Sequence, residues 1–156
     1  MFDLKISGGI IDCSVQLSVK PTELFSFFSD ANNLNLLTPK FLKFRIVSEL
    51  PSVLYQGALI DYRLSLKGIP IFWRTKITTW DPPYRFIDKQ LIGPYRKWHH
   101  EHLFIENEKG CLAIDKVHYS LLCGFLLNSV FVEPQLLQIF QSVSYTHLTL
   151  PTSDLV

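Results

Sequence analysis

The chain of 156 residues is short of the features that assign a chemistry at once. Its three cysteines, Cys13, Cys111 and Cys123, are odd in number and widely spaced. They lack the close pairing of a zinc site or a small disulfide scaffold, so buried reduced thiols are expected. No block of one charge exists: 15 Lys and Arg face 14 Asp and Glu for a formal net charge of +1, which leaves no electrostatic footprint for nucleic acid. Nor is there an unbroken apolar run of about 20 residues, the length an integral membrane helix needs. The longest candidate, Leu121 to Val132, is interrupted by Gly124, Asn128 and Ser129 and reads as a buried helix or connector. The N-terminus, Met1-Phe-Asp-Leu-Lys-Ile-Ser-Gly-Gly, has no apolar core behind a basic start, so no secretory signal is expected and a cytoplasmic location follows by default. A Gly-rich phosphate loop, a Gly-x-Ser-x-Gly elbow and a Cys–His nucleophile arrangement are all missing. What these absences leave is a small, mostly uncharged partner and no cofactor.

What is present is apolar material: 47% hydrophobic and 13% aromatic residues, enough for one sizeable core and one domain. Residues 6–19 are rich in Val and Ile and stop at Lys20-Pro21, which predicts a first strand and a boundary. Pro21 to Phe28 predicts a helix with Pro at its first position and Leu24, Phe25, Phe27 and Phe28 as its apolar face. Asp30 is placed to cap a second short helix carrying Leu34 and Leu37, ended by Thr38-Pro39. From Phe41 the apolar residues recur at every second position: Leu42, Phe44 and Ile46, then Ile60, Tyr62, Leu64 and Leu66, then Ile71, Trp73, Thr75, Ile77 and Thr79. That is the period of half-buried strands in an antiparallel sheet. On this parity Trp80 falls on the opposite face from Trp73. Turns are expected at Gly68-Ile-Pro70, Asp81-Pro-Pro83, Gly93-Pro94 and 106–109. After Leu121 the helical spacing returns, with Glu133 as cap, Pro134 at the first position, and Leu136, Leu137, Ile139 and Phe140 as a face.

Residues 142–156 abandon that face for β-branched residues and a proline. The segment resembles translated sequencing-adapter read-through. The expected domain is therefore 1–141, with its final helix cut off at about Gln141, and 142–156 a non-native tail.

The element order and the string Phe86-x-Asp88-x-Gln90-x-x-Gly93-Pro94-Tyr95-x-x-Trp98-x-His100-x-His102-x-Phe104 resemble a bacterial branch of the SRPBCC, or START-like, superfamily. Members of that branch are often labelled ligand-binding or polyketide cyclase/dehydrase-like proteins. The match continues through Asp115-x-Val117-x-Tyr119 and through Asn33-Leu34 to Pro39. The resemblance implies an α+β helix-grip fold. A curved antiparallel sheet of about seven strands would wrap on a long C-terminal helix, with two short helices after the first strand and a cavity between sheet and helix. It implies no metal dependence. Relatives with this fold include lipid carriers, hormone receptors and aromatases, so the fold does not choose a function.

Strand parity does more. Trp98, His100, His102 and Phe104 share one face, and the aromatic ends suggest that it looks inward. A four-residue turn at 106–109 would set Phe104 opposite Cys111, His102 opposite Ala113, His100 opposite Asp115 and Trp98 opposite Val117. A turn at 93–95 would set Gln90 opposite Trp98, Asp88 opposite His100 and Phe86 opposite His102. The expected result is a row of Asp88, His100 and Asp115 across three strands of the cavity wall. A histidine between carboxylates is fixed in one tautomer or kept protonated, which suits it to anchor a ligand's polar group or to act as a general acid. The pair His100-x-His102 with a carboxylate also has the spacing to aim two imidazoles at one ion, but spacing alone is permissive. Tyr62, Trp73, Gln90, Trp98, His100, His102, Asp115 and Tyr119 are the expected ligand-binding residues. His100 with Asp88 and Asp115 are the candidates for catalysis. The leading expectation is binding of a small apolar or lipid-like ligand. A cyclase- or dehydratase-type enzyme and a protein-partner module are the alternatives.

Overall fold

The computed structural model describes residues 1–122 and 132–149, with backbone alone for 143–149. Cys123 and most of the expected connector over 121–132 lie outside the described residues. The chain opens with a hairpin, β1 (Phe2–Ser7) and β2 (Ile10–Leu17), joined by Gly8-Gly9 with φ of 58° and 79°. Two successive positive φ values make the primed two-residue turn that matches strand twist. The single first strand expected over 6–19 is thus the second arm of a hairpin, and the Gly-Gly pair was its signal. Gly9 is fixed by packing as well, since a Cβ there would lie 2.6 Å from the Tyr119 carbonyl oxygen.

Helix α1 (Pro21–Ser29) starts on Pro21, and the Glu23 carboxylate accepts the Lys20 N–H at 3.4 Å. It buries Leu24, Phe25 and Phe27. Asp30 accepts the Asn32 N–H at 3.0 Å and opens a 3₁₀ turn, Ala31–Asn33, that runs into α2 (Leu34–Leu37). The strand expected from Phe41 is mostly loop. Lys40–Leu42 is a 3₁₀ turn and Lys43 has φ of 48°, so only β3 (Arg45–Ile46) pairs. The period-two spacing of Leu42 and Phe44 records their packing toward the interior, not a ladder.

Five strands follow: β4 (Leu59–Leu66), β5 (Ile69–Asp81), β6 (Arg85–Ile92), β7 (Lys97–Asn107) and β8 (Gly110–Ser120). With β1 to β3 they form one antiparallel sheet of eight strands, where about seven were expected, in the order β1-β2-β8-β7-β6-β5-β4-β3. The extra strand is β1. Trp80 does not cover the outer face as parity alone predicted. Ile77 pairs with Asp88 but Thr79 pairs with Ile87, leaving Thr78 as an extra residue that reverses parity. Trp80 therefore turns inward, its ring 4.9 Å from Phe25 and 5.5 Å from Phe86.

Helix α3 (Glu133–Thr149) packs on the β1–β2–β8 side. Leu136 and Phe140 are buried against Ile11, Cys13, Val117 and Tyr119. Leu137, expected on the same face, is 39% exposed. The buried positions follow i, i+4, and Leu137 stands one residue, about 100°, away. The backbone continues as helix past Gln141 to Thr149. A second core, under α1, gathers Val15, Leu24, Phe25, Ile77, Phe86 and Phe104. Full burial of each such side chain contributes about 1.5–3 kcal/mol. No helix among the described residues is long and apolar enough to cross a membrane.

Candidate functional site

Strands β6, β7 and β8 turn one row of side chains toward the space under α3, and that row contains the charged residues of the interior. The β7–β8 turn is tighter than expected: Asn107 pairs with Gly110, so only Glu108 and Lys109 make the turn. The register is displaced by two residues. His102, not His100, is the residue that faces Asp115; His100 faces Val117, Phe104 faces Ala113 and Trp98 faces Tyr119. A shift of two keeps every side chain on its face. On the other flank Asp88 pairs with His100 and Phe86 with His102, as the sequence predicts, while the expected Gln90–Trp98 pair lies beyond the ladder's end at Lys89–His99.

The outcome is a four-membered cluster in place of a three-membered row. Asp88 Oδ2 lies 2.8 Å from His102 Nε2 and 3.7 Å from His100 Nδ1. Asp115 Oδ1 lies 3.2 Å from His100 Nε2 and 2.8 Å from His102 Nδ1. The last contact is a close ion pair whose N–H is not aligned as a hydrogen bond, whereas His102 Nε2 donates to Asp88 and His100 Nε2 to Asp115. The two imidazoles stack with centroids 3.8 Å apart, and Phe86 stacks on the other face of His102 at 4.1 Å. The Thr75 hydroxyl donates to Asp88 Oδ1 at 3.3 Å and shares that contact with the Lys89 carbonyl at 3.1 Å.

The electrostatics follow from this enclosure. Burial alone would lower the His102 pKa, but the close contacts and charges of Asp115 and Asp88 outweigh it and hold it up to about 9. Burial would raise both carboxylates, and their imidazole partners reverse that effect. His100 and His102 hold Asp115 far below the usual carboxylate range, and the same rings with Thr75 lower Asp88. At neutral pH the wall therefore presents two carboxylates around a His102 imidazolium.

Asp88, His100 and His102 offer ligand atoms within 4.8 Å of one another, close enough to raise the question of a metal. Imidazole and carboxylate are usual zinc ligands, and the same groups pair with one another here as an ion-pair network.

A cavity of about 230 Å³ lies between this wall, α3 and the segment around α2. All four cluster residues line it, with Tyr62, Trp73 and Trp98 among the expected residues. Gln90 and Tyr119, also expected there, stand outside the lining. Gln90 spans the β6–β7 turn instead, its Nε2 donating to the Tyr95 carbonyl at 2.7 Å and its Oε1 accepting the Tyr95 N–H at 3.2 Å. Tyr119 is buried under α3 with Val117 and Leu136. Sequence reasoning missed Thr75, Tyr95 and Phe28 as lining residues. Thr75 was legible, since it shares the face of Trp73. Tyr95 sits in a turn, where strand parity says nothing. The rest of the lining is largely apolar, with Leu54, Ile60, Leu64, Ile139 and Phe140 among it.

A long C-terminal helix held by a curved antiparallel sheet, with short helices at one end and a lined cavity between, defines a helix-grip domain. Solved structures share it. Protein Ms6760 from Mycobacterium smegmatis is similar at a TM-score of 0.69 and 16% identity, over 93% of this chain and 93% of that one. Major latex-like protein 151 from Panax ginseng is similar at 0.67 and 14% identity, over 92% and 98%. Ara h 8.0201 is similar at 0.60 and 16%, over 90% and 98%. These likenesses establish the fold. No family model and no curated protein sequence matches the chain.

Proposed function

We propose that this chain is a ligand-binding member of the SRPBCC superfamily. Its domain, residues 1–141, takes up a small, mostly apolar molecule in the cytoplasm for transport or sensing, and 142–156 is a non-native tail. The ligand's body lies against the apolar lining, and its polar end meets the Asp88, His100, His102 and Asp115 cluster. The observation that carries this reading is the gathering of charge on one wall of an otherwise largely apolar cavity. Few, convergent polar groups in an apolar pocket are the usual design of a small-molecule site. A cyclase- or dehydratase-type reaction needs a proton donor poised near the working pH. His102, held up to about 9, keeps its proton at neutral pH and donates it to Asp88, which suits that residue to a fixed polar wall.

Native mass spectrometry of gently purified protein, followed by organic extraction, is the test. The reading predicts an adduct that extraction removes, and saturable uptake of a fluorescent apolar probe by the emptied protein. Protein that is always empty and takes up no such probe contradicts it.

A further inference from the structure

We propose that two copies of this chain join through strand β1, antiparallel about Leu4, so that their sheets become continuous and Asp3 of each copy pairs with Lys5 of the other. The interface is independent of what the cavity holds. A sheet edge is a row of unpaired N–H and C=O groups, and folded proteins blunt it by shortness or by cover. The β3 edge is only two residues long, Arg45–Ile46. The β1 edge runs from Phe2 to Ser7, and no strand among the described residues flanks its far side. Ser7 faces Ile10 across the two-residue turn, and the Gln16 N–H donates to the Met1 carbonyl at 3.0 Å. Antiparallel bonding alternates along a strand. The odd-numbered residues of β1 therefore aim their backbone groups at β2, and Phe2, Leu4 and Ile6 turn theirs to the open edge.

The side chains select a second copy as the partner. A two-fold axis sets like edges antiparallel. Centred on Leu4, the seam places Phe2 opposite Ile6 of the second copy and Leu4 opposite Leu4, and the outward N–H and C=O groups of all three find their complements. Asp3 then lies opposite Lys5 of the second copy at the non-hydrogen-bonded positions, where facing side chains are closest. The symmetry makes that pair twice. Sliding the register by two residues either way sets Asp3 on Asp3 or Lys5 on Lys5, and like charges directly opposite are destabilising. The run Phe2-Asp-Leu-Lys-Ile6 is thus its own complement in one register. Within one chain Lys5 and Asp3 stand 3.3 Å apart with side chains 77% and 60% exposed. An ion pair so exposed is worth little, so exchanging it for the pair across the seam costs little. Phe2, 38% exposed, shares the face of Leu4 and Ile6 and gains cover from Ile6 of the second copy.

Sedimentation velocity of the full chain over a dilution series is the test, run on the wild type, on Asp3→Lys, on Lys5→Asp, and on an equal mixture of the two variants. The wild type is expected to show a reversible monomer–dimer equilibrium. Either substitution alone replaces two attractive cross-strand pairs with two repulsive ones and should weaken self-association by about tenfold or more. In the mixture the two variants carry opposite charges at both seam positions, so a heterodimer should return with about the wild-type strength. That return also shows that both variants are folded. A wild type that stays monomeric at every concentration overturns the proposal and leaves the edge to a strand of another protein. Variants that self-associate as the wild type does, or a mixture that gives no heterodimer, overturn the Asp3–Lys5 seam.

Discussion

Raising the pH from about 6 to about 10 is expected to destabilise the fold chiefly through His102, with the raised Cys111 thiol adding to the loss only above about 9. Its pKa stands at about 9 in the folded chain against an ordinary 6.5. Below about 6.5 the ring is protonated whether the chain is folded or not, so the cluster's contribution is fully present. As the pH rises through about 9 the folded protein gives up that proton and the contribution disappears. Each pH unit of the gap is worth about 1.4 kcal/mol, which gives a loss of about 3 kcal/mol. For a chain of this size that lowers Tm by about 6–12 °C. His99, whose pKa is lowered chiefly by burial, acts on the acid side of 6.5 and stays out of the window. Urea unfolding followed by tryptophan fluorescence across this pH range reads the loss directly. The variant His102→Gln, neutral throughout, should unfold more easily at pH 6 and show no slope between 6.5 and 9. A wild type equally stable at both ends, or a variant that keeps the slope, would refute the claim that His102 is held protonated between Asp88 and Asp115.

Asp115→Asn removes the negative charge that pairs with both imidazoles, and breaking such an enclosed ion pair costs about 3–5 kcal/mol; a loss below about 1 kcal/mol in urea unfolding at pH 7 contradicts the cluster geometry. Because Asp115 is held below its unfolded value, its contribution is present above about pH 4 and fades as the pH falls, so the same variant should show a shallower acid limb. Gly9→Ala should lower Tm more than Gly8→Ala, since a Cβ at position 9 meets the Tyr119 carbonyl while one at position 8 meets nothing within 4 Å. Equal effects would argue against that close approach. On α3, Leu136→Ala should cost about 2–5 kcal/mol and Leu137→Ala less than about 1 kcal/mol; the reverse order in chemical unfolding would mean that the helix docks by another face.

The sheet was legible because period two is a local property, visible in Ile60-x-Tyr62-x-Leu64-x-Leu66 without knowing any partner. The same rule put His100, His102 and Asp115 on the inner face, and a register error of two residues could not move them off it. Which histidine faces Asp115 was not legible. That depends on whether two or four residues make the β7–β8 turn, and Glu-Asn-Glu-Lys-Gly permits either. Trp80 was misplaced because a bulge at Thr78 adds one residue to one strand only, a choice made by cross-strand packing around Phe25 and Phe86. Gly8-Gly9 shows the opposite case: the hairpin signal is local, two adjacent glycines inside an apolar run, and the chain turns there. Gln90 and Tyr119 share the parity of wall residues, yet one holds the Tyr95 backbone and the other packs under α3. Parity fixes a face, and the position along the strand decides what covers it.

The central claim is that the space beside the cluster is a binding site for a small apolar molecule, and its most direct test is a titration with N-phenyl-1-naphthylamine. The wild type should saturate at one probe per chain. Leu64→Trp, which puts a larger side chain at a half-buried lining position, should lose that binding while still unfolding cooperatively. Absence of saturable binding to the wild type, or binding unchanged by the filled cavity, would contradict the account.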